Sequence, residues 1–572
     1  MKTIVSPNCL CAVLATALFT LSPPHARAQE TPPAPAKEAA KTAVNITGVW
    51  RSTEAGNGRS AWKFIQDGFW SMTEQTANGQ VTIHHGGTFT LEGDVYSESV
   101  LWAGDATRSM IGKTNRFQVT IEGDICKIKG LNNSFGGTWT RVKPGEKIPD
   151  KPVAPADPVA KRKADIDFFL TEFKKQAAHL IKTKQIDWDQ VTAWCRAEEA
   201  KVQTDEDHLR LCQRLLARLR DGHARLEGCR VTFPDDSNGR RSIGAPVQLI
   251  LTRDAAIISG ATEEAAAAGA APGVIVTKID GRPAREWLDA KVDEWLDKYC
   301  YSTRHHALFT AAKYGLGGWE GTTLRLTLKT GEAEKEIELK RQGAQNVKAF
   351  TAAKQLPGLK RLGRHTFGKT AGGNGYIHLG NTPGDLPEQL DKMLADIGDV
   401  PGVILDMRGN SGGGCDHAAV FGEFLKKGKR WGSYQSRGEH PFAGPMIVIL
   451  DAGCASAGET VGGQFGEDQR ACMIGDTPTA GMSSSKTRVP APSGLFTAYF
   501  SVYSNKARFN RGRGIEGVGV QPHEFVPWEP ADLAAGIDTQ IRRAEDILKT
   551  GIPKNLIDYV PPTDDAPAKE EK

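Results

Sequence analysis

A serine stands at the end of a buried apolar segment, where its hydroxyl could act as a nucleophile. Residues 446–450, Met-Ile-Val-Ile-Leu, predict a strand, and the small residues after it predict an abrupt turn into a helix whose first residue is Ser456. At such a junction the backbone N–H of Ala457 and the free amides of the first helical turn could stabilise an oxyanion. The alternative is structural, because Ser456 and Glu459 also have the spacing of a helix capping box.

Three other segments supply residue types that a hydrolase needs. Residues 402–414, GVILDMRGNSGGG, predict a short strand and a glycine-rich turn whose bare backbone can donate N–H groups to a ligand. His223 follows an amphipathic helix in LRDGHARL, and Glu516 lies in the glycine-rich sequence GRGIEGVGVQP. Each segment alone is also typical of a structural feature: a tight connection, a helix-capping histidine or a solvated glutamate. Only their combination favours catalysis.

In combination these residues resemble the serine peptidase family of C-terminal processing (tail-specific) proteases and tricorn core proteases. The matching features follow the family's order over roughly residues 160–551: an Asp-x-His after a helical region, LDMRGNSGG, ASAGE, GDTPTAG and EGVGVQP. The resemblance implies that Ser456 is the nucleophile and that Ala457 and a glycine of the loop, Gly412 or Gly413, bind the oxyanion. It also implies a polypeptide substrate and no cofactor.

The family has two catalytic variants, and position 482 distinguishes them. Tail-specific members use a Ser–Lys dyad whose lysine follows the glycine of GDTPTAG, but this chain has Met482 there, and a thioether cannot accept a proton at neutral pH. Tricorn-like members use serine, histidine and a carboxylate, and His223 and Glu516 occupy the matching positions. Their serine before the histidine is Gly222 here, so a water or a direct contact must replace its relay. Lys486 is the nearest alternative amine.

A histidine base predicts a specific pH dependence. The imidazole would take the Ser456 proton and return it to the leaving amine, while the carboxylate fixes its tautomer. Activity should therefore fall in acid near the unperturbed imidazole pKa of about 6.5. Cys454 is a rival nucleophile, but it lies in the approach to the turn and not at the start of the helix.

Length and composition predict a multidomain protein without nucleic-acid chemistry. A chain of 572 residues with 39% hydrophobic residues should hold three to four domains. The formal net charge is only +4 and no long basic stripe is present, so nucleic acid is not an implied partner. None of the cysteine spacings is of the metal-binding C-x-x-C type, and no metal site is predicted.

Residues 1–28 predict a signal peptide. Lys2 precedes an apolar run, residues 9–21, that is too short for a membrane-spanning helix, and Ala26-Arg27-Ala28 fits a small-x-small cleavage site. We therefore expect an exported protein, periplasmic or secreted, with no membrane span after signal removal. An oxidising compartment would permit disulfides, whose pairing the sequence leaves open.

The front of the mature chain predicts a β-barrel between two linkers. Residues 29–44 and 143–161 are rich in Pro, Ala and Lys and have the composition of extended linkers. Residues 45–142 alternate short strands with explicit turns and resemble a lipocalin-like barrel. Small barrels are usually filled by side chains, and we expect Trp62, Phe64 and Phe117 to fill this one. A packed accessory or substrate-positioning module is favoured over a ligand carrier.

The rest of the chain predicts a multidomain α/β protein. Helical periodicity, PDZ-like features and strand/helix alternation follow in that order. The predicted units are a helical bundle carrying His223 at 162–240, a PDZ-like domain at 241–345, an α/β serine peptidase core at 360–551 and a disordered tail at 563–572.

These inferences predict an exported serine endopeptidase that acts through a Ser-His-Glu acyl-enzyme mechanism. Two alternatives remain. One is a non-catalytic protein that binds a hydrophobic ligand or a peptide, because the same fold also serves in retinoid-binding proteins of the eye. The other is an exported esterase, because the acyl-transfer chemistry is shared.

Overall fold

A computed structural model describes residues 45–52, 60–75, 81–133, 135–145, 157–233, 239–252, 255–504 and 508–556. The predicted signal peptide, the first linker, most of the second linker and the predicted tail lie outside these residues. Within the described ranges, no helix is both long enough and apolar enough to cross a membrane.

The N-terminal unit is a closed barrel of eight antiparallel strands. Each strand pairs with the next, and β1 pairs with β8 to close the ring. A short 3-10 helix, Asp105–Met110, joins β5 to β6. The strands are β1 (Gly48–Ser52), β2 (Ser60–Gln66), β3 (Phe69–Gln75), β4 (Val81–Glu92), β5 (Val95–Ala103), β6 (Thr114–Glu122), β7 (Ile125–Gly130) and β8 (Gly136–Arg141).

The barrel interior differs from the sequence prediction along β2. Phe64 is 45% exposed and Trp62 is half-buried, whereas Phe117 is buried as predicted. Successive strand residues face opposite sides, so a change of phase by one residue exchanges the two faces. The prediction that Trp62 and Phe64 fill the interior is therefore wrong. The buried residues of β2 are Ala61, Lys63 and Ile65.

Lys63 can lie inside the barrel because its charge is compensated there. Its ammonium pairs with the Glu98 carboxylate, and the two side chains are only 5% and 4% exposed. Aromatic rings also surround the ammonium at 5.3 to 5.6 Å, close enough for cation–π attraction. These rings belong to Trp70, Tyr96, Phe117 and Trp139.

Removing one partner of this pair should destabilise the barrel. Glu98→Gln leaves the buried Lys63 charge uncompensated, and we expect a loss of about 3–5 kcal/mol in the free energy of unfolding. Denaturant unfolding of the full chain, monitored by tryptophan fluorescence, should show a transition at a lower denaturant concentration than in the wild type. The double variant Lys63→Met/Glu98→Leu should recover most of the loss, and exposed Lys113→Met is the control. An unchanged transition in Glu98→Gln would contradict the account.

Four helices follow the barrel. Asp157 and Asp187 cap α1 and α3 with their side chains, and Thr204 forms a capping box with Asp207 at α4. Their apolar faces form one core. The elements are α1 (Pro158–Gln176), α2 (Ala178–Thr183), α3 (Trp188–Glu199), α4 (Asp205–Ala217) and the short strand β9 (Arg225–Glu227).

The next unit is an antiparallel sheet with two helices packed against it. Its strands follow the order β11-β12-β13-β16-β17, so β11 and β17 are edges. The elements are β10 (Ser242–Ile243), β11 (Val247–Leu251), β12 (Ala256–Ala261), α5 (Glu263–Ala267), β13 (Ile275–Ile279), β14 (Arg282–Pro283), α6 (Ala284–Lys298), α7 (Arg304–Tyr314), β15 (Gly318–Trp319), β16 (Thr323–Thr330), β17 (Ala333–Lys340) and β18 (Lys348–Ala349).

The last unit is a layered α/β core. Its seven-stranded sheet has the order β19-β20-β21-β22-β25-β26-β29 and is parallel from β21 onwards. The elements are β19 (Lys360–Leu362), β20 (His365–Lys369), β21 (Gly375–His378), α8 (Leu386–Ile397), β22 (Val403–Asp406), α9 (His417–Gly422), β23 (Arg430–Trp431), β24 (Tyr434–Gln435), β25 (Met446–Leu450), α10 (Ala457–Glu467), β26 (Cys472–Gly475), β27 (Ser484–Pro490), β28 (Thr497–Ser504), β29 (Glu524–Phe525), α11 (Pro530–Ala534) and α12 (Thr539–Thr550).

Two features of this core bear on function. The carboxyl ends of β22 and β25 lie side by side because the strands are parallel neighbours, so the turns after them meet. A separate three-stranded sheet, β27-β28-β9, joins the core to the helical unit. The protein is thus a mixed α/β multidomain chain with an N-terminal barrel, as predicted.

Candidate active site

Ser456 lies in the turn between β25 and α10. The helix begins at Ala457, one residue later than predicted, and Ser456 is its N-cap with φ 58° and ψ −129°. A non-glycine residue in such a sparsely populated region costs about 1–3 kcal/mol. The backbone N–H of Ser456 donates to Glu459 Oε2 at 3.1 Å, which helps to hold this conformation. A strained serine at a strand-to-helix turn is a recurrent arrangement for nucleophiles.

The Glu459 carboxylate ties this turn to the segment at 479–482. It is fully buried and accepts hydrogen bonds from Thr479 Oγ1 at 2.6 Å, from the Gly481 N–H at 2.7 Å and from the Met482 N–H at 2.8 Å. Glu459 therefore accepts from the Ser456 N–H, as a capping box requires, and its carboxylate also accepts hydrogen bonds from a distant segment. Glu459 thus links the Ser456 turn to residues 479–482, which lie just before β27.

His223 reaches Ser456 from the end of the helical unit. Its Nε2 lies 3.0 Å from Ser456 Oγ. The buried Asp221 anchors the segment, because its Oδ1 accepts from the His223 N–H at 3.0 Å and from Ser501 Oγ on β28 at 2.9 Å. The pairing of β9 with β28 holds the same connection on the other side of His223.

Burial keeps the imidazole neutral. It lowers the pKa of His223 to about 4, with the Asp221 carboxylate opposing this shift and the nearby cations of Lys486, Arg225 and Lys184 adding to it. A neutral imidazole can accept a proton from Ser456, and the basic form should persist well below neutral pH.

Glu516 lies on the other side of His223, in the loop after a 3-10 turn, Asn510–Gly512. Its side chain is 3% exposed, and its Oε1 accepts from Lys184 Nζ at 2.6 Å and from Ser302 Oγ at 2.8 Å. Within the described residues, Glu516 Oε2 and His223 Nδ1 are buried and have no hydrogen-bond partner. One atom from each of Asp221, His223 and Glu516 lies within 4.8 Å of the others.

These three side chains could also hold a metal ion by distance alone. They form the one such group in the part of the chain that the structure describes. The Asp221 oxygens, however, already accept from Ser501 and His223, and Glu516 is paired with an ammonium. This environment suits the orientation of an imidazole better than metal ligation.

The glycine-rich loop after β22 packs directly on the Ser456 turn. Gly412 has φ +78°, and a Cβ there would lie 2.6 Å from Ser456 Cβ, so only glycine fits. The Gly412 N–H donates to Asn410 Oδ1 at 2.9 Å, whereas no bond involves the Gly413 N–H among the described residues. Of the two predicted loop donors, the Gly413 N–H is the one free to bind an oxyanion together with the Ala457 N–H.

The alternative catalytic groups lie apart from the Ser456 hydroxyl. Within the described residues, His223 Nε2 is the one basic group within hydrogen-bonding distance of it. Burial lowers the pKa of the Lys486 ammonium, and Asp221 and Glu516 oppose this shift. Cys454 is fully buried, and burial raises its thiol pKa well above the ordinary value, so it behaves as a packing residue.

Four residues around the site were not identified from the sequence as site residues. Asn410 lies in GVILDMRGNSGGG and Asp221 lies in LRDGHARL, so a sequence motif could have identified each of them. Ser302 and Lys184 lie in segments without any motif, and only the fold brings them to Glu516.

Comparison with known proteins assigns part of the chain to a family. Residues 373–526 match the model of peptidase family S41. This chain carries a peptidase family S41 domain. The domain includes the glycine-rich loop, Ser456 and Glu516, whereas His223 lies outside the matched residues.

Relatives of this chain include two processing proteases. The carboxyl-terminal-processing protease of Synechocystis is 26% identical over 234 residues, covering 38% of this chain and 53% of that protein. The carboxy-terminal-processing protease of Bartonella bacilliformis is 25% identical over 301 residues, covering 49% and 60%. The chain thus spans little more than half the length of these relatives.

Solved structures also share the fold. The crystal structure of mature CPAF superimposes with a TM-score of 0.51 at 12% identity, over 69% of this chain and 98% of that chain. At this identity the likeness concerns the fold alone. It extends beyond the S41 domain, which accounts for residues 373–526 only.

Substitution of Gly412 should test the loop beside the nucleophile. In Gly412→Ala the added methyl meets Ser456 Cβ and should displace the N–H groups that are predicted to bind the oxyanion, so we expect kcat to fall by roughly 10²–10³ with KM nearly unchanged. Gly409→Ala is the matched control, because Gly409 has φ +66° and no atom within 4 Å of its added Cβ. Equal kcat values in the two variants would show that contact with Ser456 is irrelevant.

The pH dependence should reflect the buried imidazole. A base must be neutral to act, so activity is lost as pH falls through its pKa. With the pKa of His223 at about 4, the acid limb of kcat/KM should lie well below the 6.5 expected from sequence alone. Initial rates between pH 3 and 9 on one peptide substrate would measure it. An acid limb at or above 6.5 would contradict the burial argument.

Proposed function

We propose that this chain is a serine peptidase in which Ser456, His223 and Glu516 act as nucleophile, base and orienting carboxylate. The observation that carries the proposal is the 3.0 Å contact between His223 Nε2 and Ser456 Oγ. The two residues are 233 positions apart and belong to different units, so local capping does not explain their contact. The S41 domain and the named relatives support the coarser part of the proposal, that the chain is a serine peptidase.

The proposed mechanism follows from the positions of these groups. His223 Nε2 removes the Ser456 proton as Oγ attacks the scissile carbonyl, and the N–H groups of Ala457 and Gly413 bind the resulting oxyanion. The imidazolium then protonates the leaving amine, which departs and leaves an acyl-enzyme. A water molecule, deprotonated by His223, hydrolyses the ester and restores Ser456. Glu516 stabilises the imidazolium without taking its proton.

A polypeptide substrate fits the unit built on the sheet β11-β12-β13-β16-β17, which we infer to be PDZ-like. Its edge strand β11 is open on one side and packs near α7, and a cavity of about 300 Å³ lies along them. Peptides bind such edges by adding a strand. Apolar side chains line part of the cavity, among them Leu249, Leu308, Phe309, Phe350 and Trp528, and charged side chains that include Arg408, Asp451 and Asp476 line the rest.

The other proposals concern location and the alternative functions. Export rests on the leader-like residues 1–28 alone. A ligand-carrying role for the barrel is disfavoured, because the Lys63–Glu98 pair and its aromatic neighbours occupy the interior. An esterase would share every step up to the leaving group, so parallel assays of a peptide and the matched ester separate the two activities.

Peptide hydrolysis by point variants tests the proposed base. His223→Ala should lower kcat by at least about 10²-fold, and Glu516→Gln should keep a small residual rate. Lys486→Ala should retain most of the activity, and Ser456→Ala is the inactive reference. Thermal unfolding of each variant checks the fold. A dead lysine variant beside an active histidine variant would assign the chain to the Ser–Lys enzymes and would refute both His223 and Glu516.

A further inference from the structure

The Glu516 carboxylate is held by residues from two other units of the protein. Lys184, at the end of α2, and Ser302, just before α7, both donate to the same oxygen, Oε1, at 2.6 Å and 2.8 Å. Oε2 is left without a hydrogen-bond partner among the described residues, and so is the buried His223 Nδ1, which lies 3.9 Å from Asp221 Oδ1. The two donors therefore occupy one oxygen of Glu516, which lies in one cluster with His223 and Asp221, and leave the other oxygen without a hydrogen bond.

Ser302 also occupies the space next to Gly222. Its Oγ accepts from the Gly222 N–H at 2.8 Å while it donates to Glu516. A Cβ at position 222 would lie 2.9 Å from Met482 Sδ and 3.3 Å from Ser302 Oγ. A side chain at 222 would thus compete with the Ser302 hydroxyl, which links the histidine segment to the carboxylate from a distant part of the chain.

Lys184 compensates the charge of a deeply buried carboxylate. Burial raises the pKa of Glu516, and the Lys184 ammonium and the Ser302 hydrogen bond oppose that shift. Lys184 is itself only 6% exposed, and the pair is therefore screened little by solvent. The other charged or titratable groups that face Glu516 are Asp221, His223, Glu459 and Lys486. Within the described residues, Lys184 is the cation that forms an ion pair with Glu516.

We propose that Ser302 and Lys184 are positioning residues that orient the Glu516 carboxylate and keep it ionised for His223. The inference rests on the proposed function, because it assigns these residues a role in the same reaction. Among the described residues, neither hydrogen-bonds to the Ser456 hydroxyl, and both act through Glu516. The site is thus complete only when the helical unit, the PDZ-like unit and the core are docked together.

Kinetics of Ser302→Ala and Lys184→Gln test the proposal. Each variant should lower kcat about tenfold with KM within twofold of wild type, in line with residues that orient a directly acting group. Because each change raises the Glu516 pKa, the acid limb of kcat/KM should move to higher pH. Thr277→Val and Lys182→Gln, which alter a hydroxyl and an exposed ammonium in the same two units, should behave as wild type.

A double-variant cycle with Glu516→Gln separates positioning from general destabilisation. If Ser302 acts through Glu516, Ser302→Ala should cost little further activity in the Glu516→Gln background. An undiminished loss in that background, or a wild-type kcat and acid limb in Ser302→Ala, would overturn the inference. If Lys184→Gln does not fold, kcat and the acid limb of kcat/KM in Ser302→Ala are sufficient to test the inference.

Ser456→Ala in the same assay distinguishes the two levels of failure. Hydrolysis that survives in Ser456→Ala would refute the proposed function, and the inference with it. Hydrolysis that depends on Ser456 but is indifferent to Ser302 and Lys184 would refute only the inference.

Discussion

The contact between His223 and Ser456 requires two separately built units to meet within hydrogen-bonding distance. Ser456 belongs to the α/β core, and His223 follows the helical unit. The sheet β27-β28-β9 joins them, and Asp221 reinforces that joint through both its oxygens to Ser501 on β28. The geometry of the site is therefore a property of the docked protein and not of either unit alone.

The core residue that contacts His223 is Ser456, whose strained backbone is held in place by its neighbours. Ser456 keeps an unfavourable backbone conformation because the neighbouring turn, through Gly412, and the Glu459 carboxylate hold it in place. Asn410 locks the same two turns together, since its carbonyl accepts from the Ala455 N–H. Parallel strands that end side by side make this packing of turns possible.

Local patterns predicted the core well. The strand at 446–450 was predicted with the bounds that the structure shows, and a strand was predicted before the glycine-rich loop, where β22 lies, because a buried parallel strand needs a continuous apolar sequence. The structure also brings together Ser456, His223 and Glu516, which the sequence singled out; their roles remain predictions.

Features set by distant partners were not predictable. In β2, Lys63 faces the interior and pairs there with Glu98, whereas the aromatic residues of the isolated strand favour the opposite face. Ser302 and Lys184 lie 214 and 332 positions from Glu516. No spacing rule relates residues so far apart, so only tertiary docking reveals that they share a carboxylate.

Reaction with a fluorophosphonate probe, followed by intact-mass and peptide mass spectrometry, tests the central claim most directly. The account predicts a single adduct on Ser456, formed rapidly in the wild-type chain and much more slowly in His223→Ala, because the imidazole must accept the serine proton. Ser456→Ala, if still folded by thermal unfolding, should form no adduct. Labelling that persists in Ser456→Ala, or that is as fast in His223→Ala as in the wild type, would contradict the account.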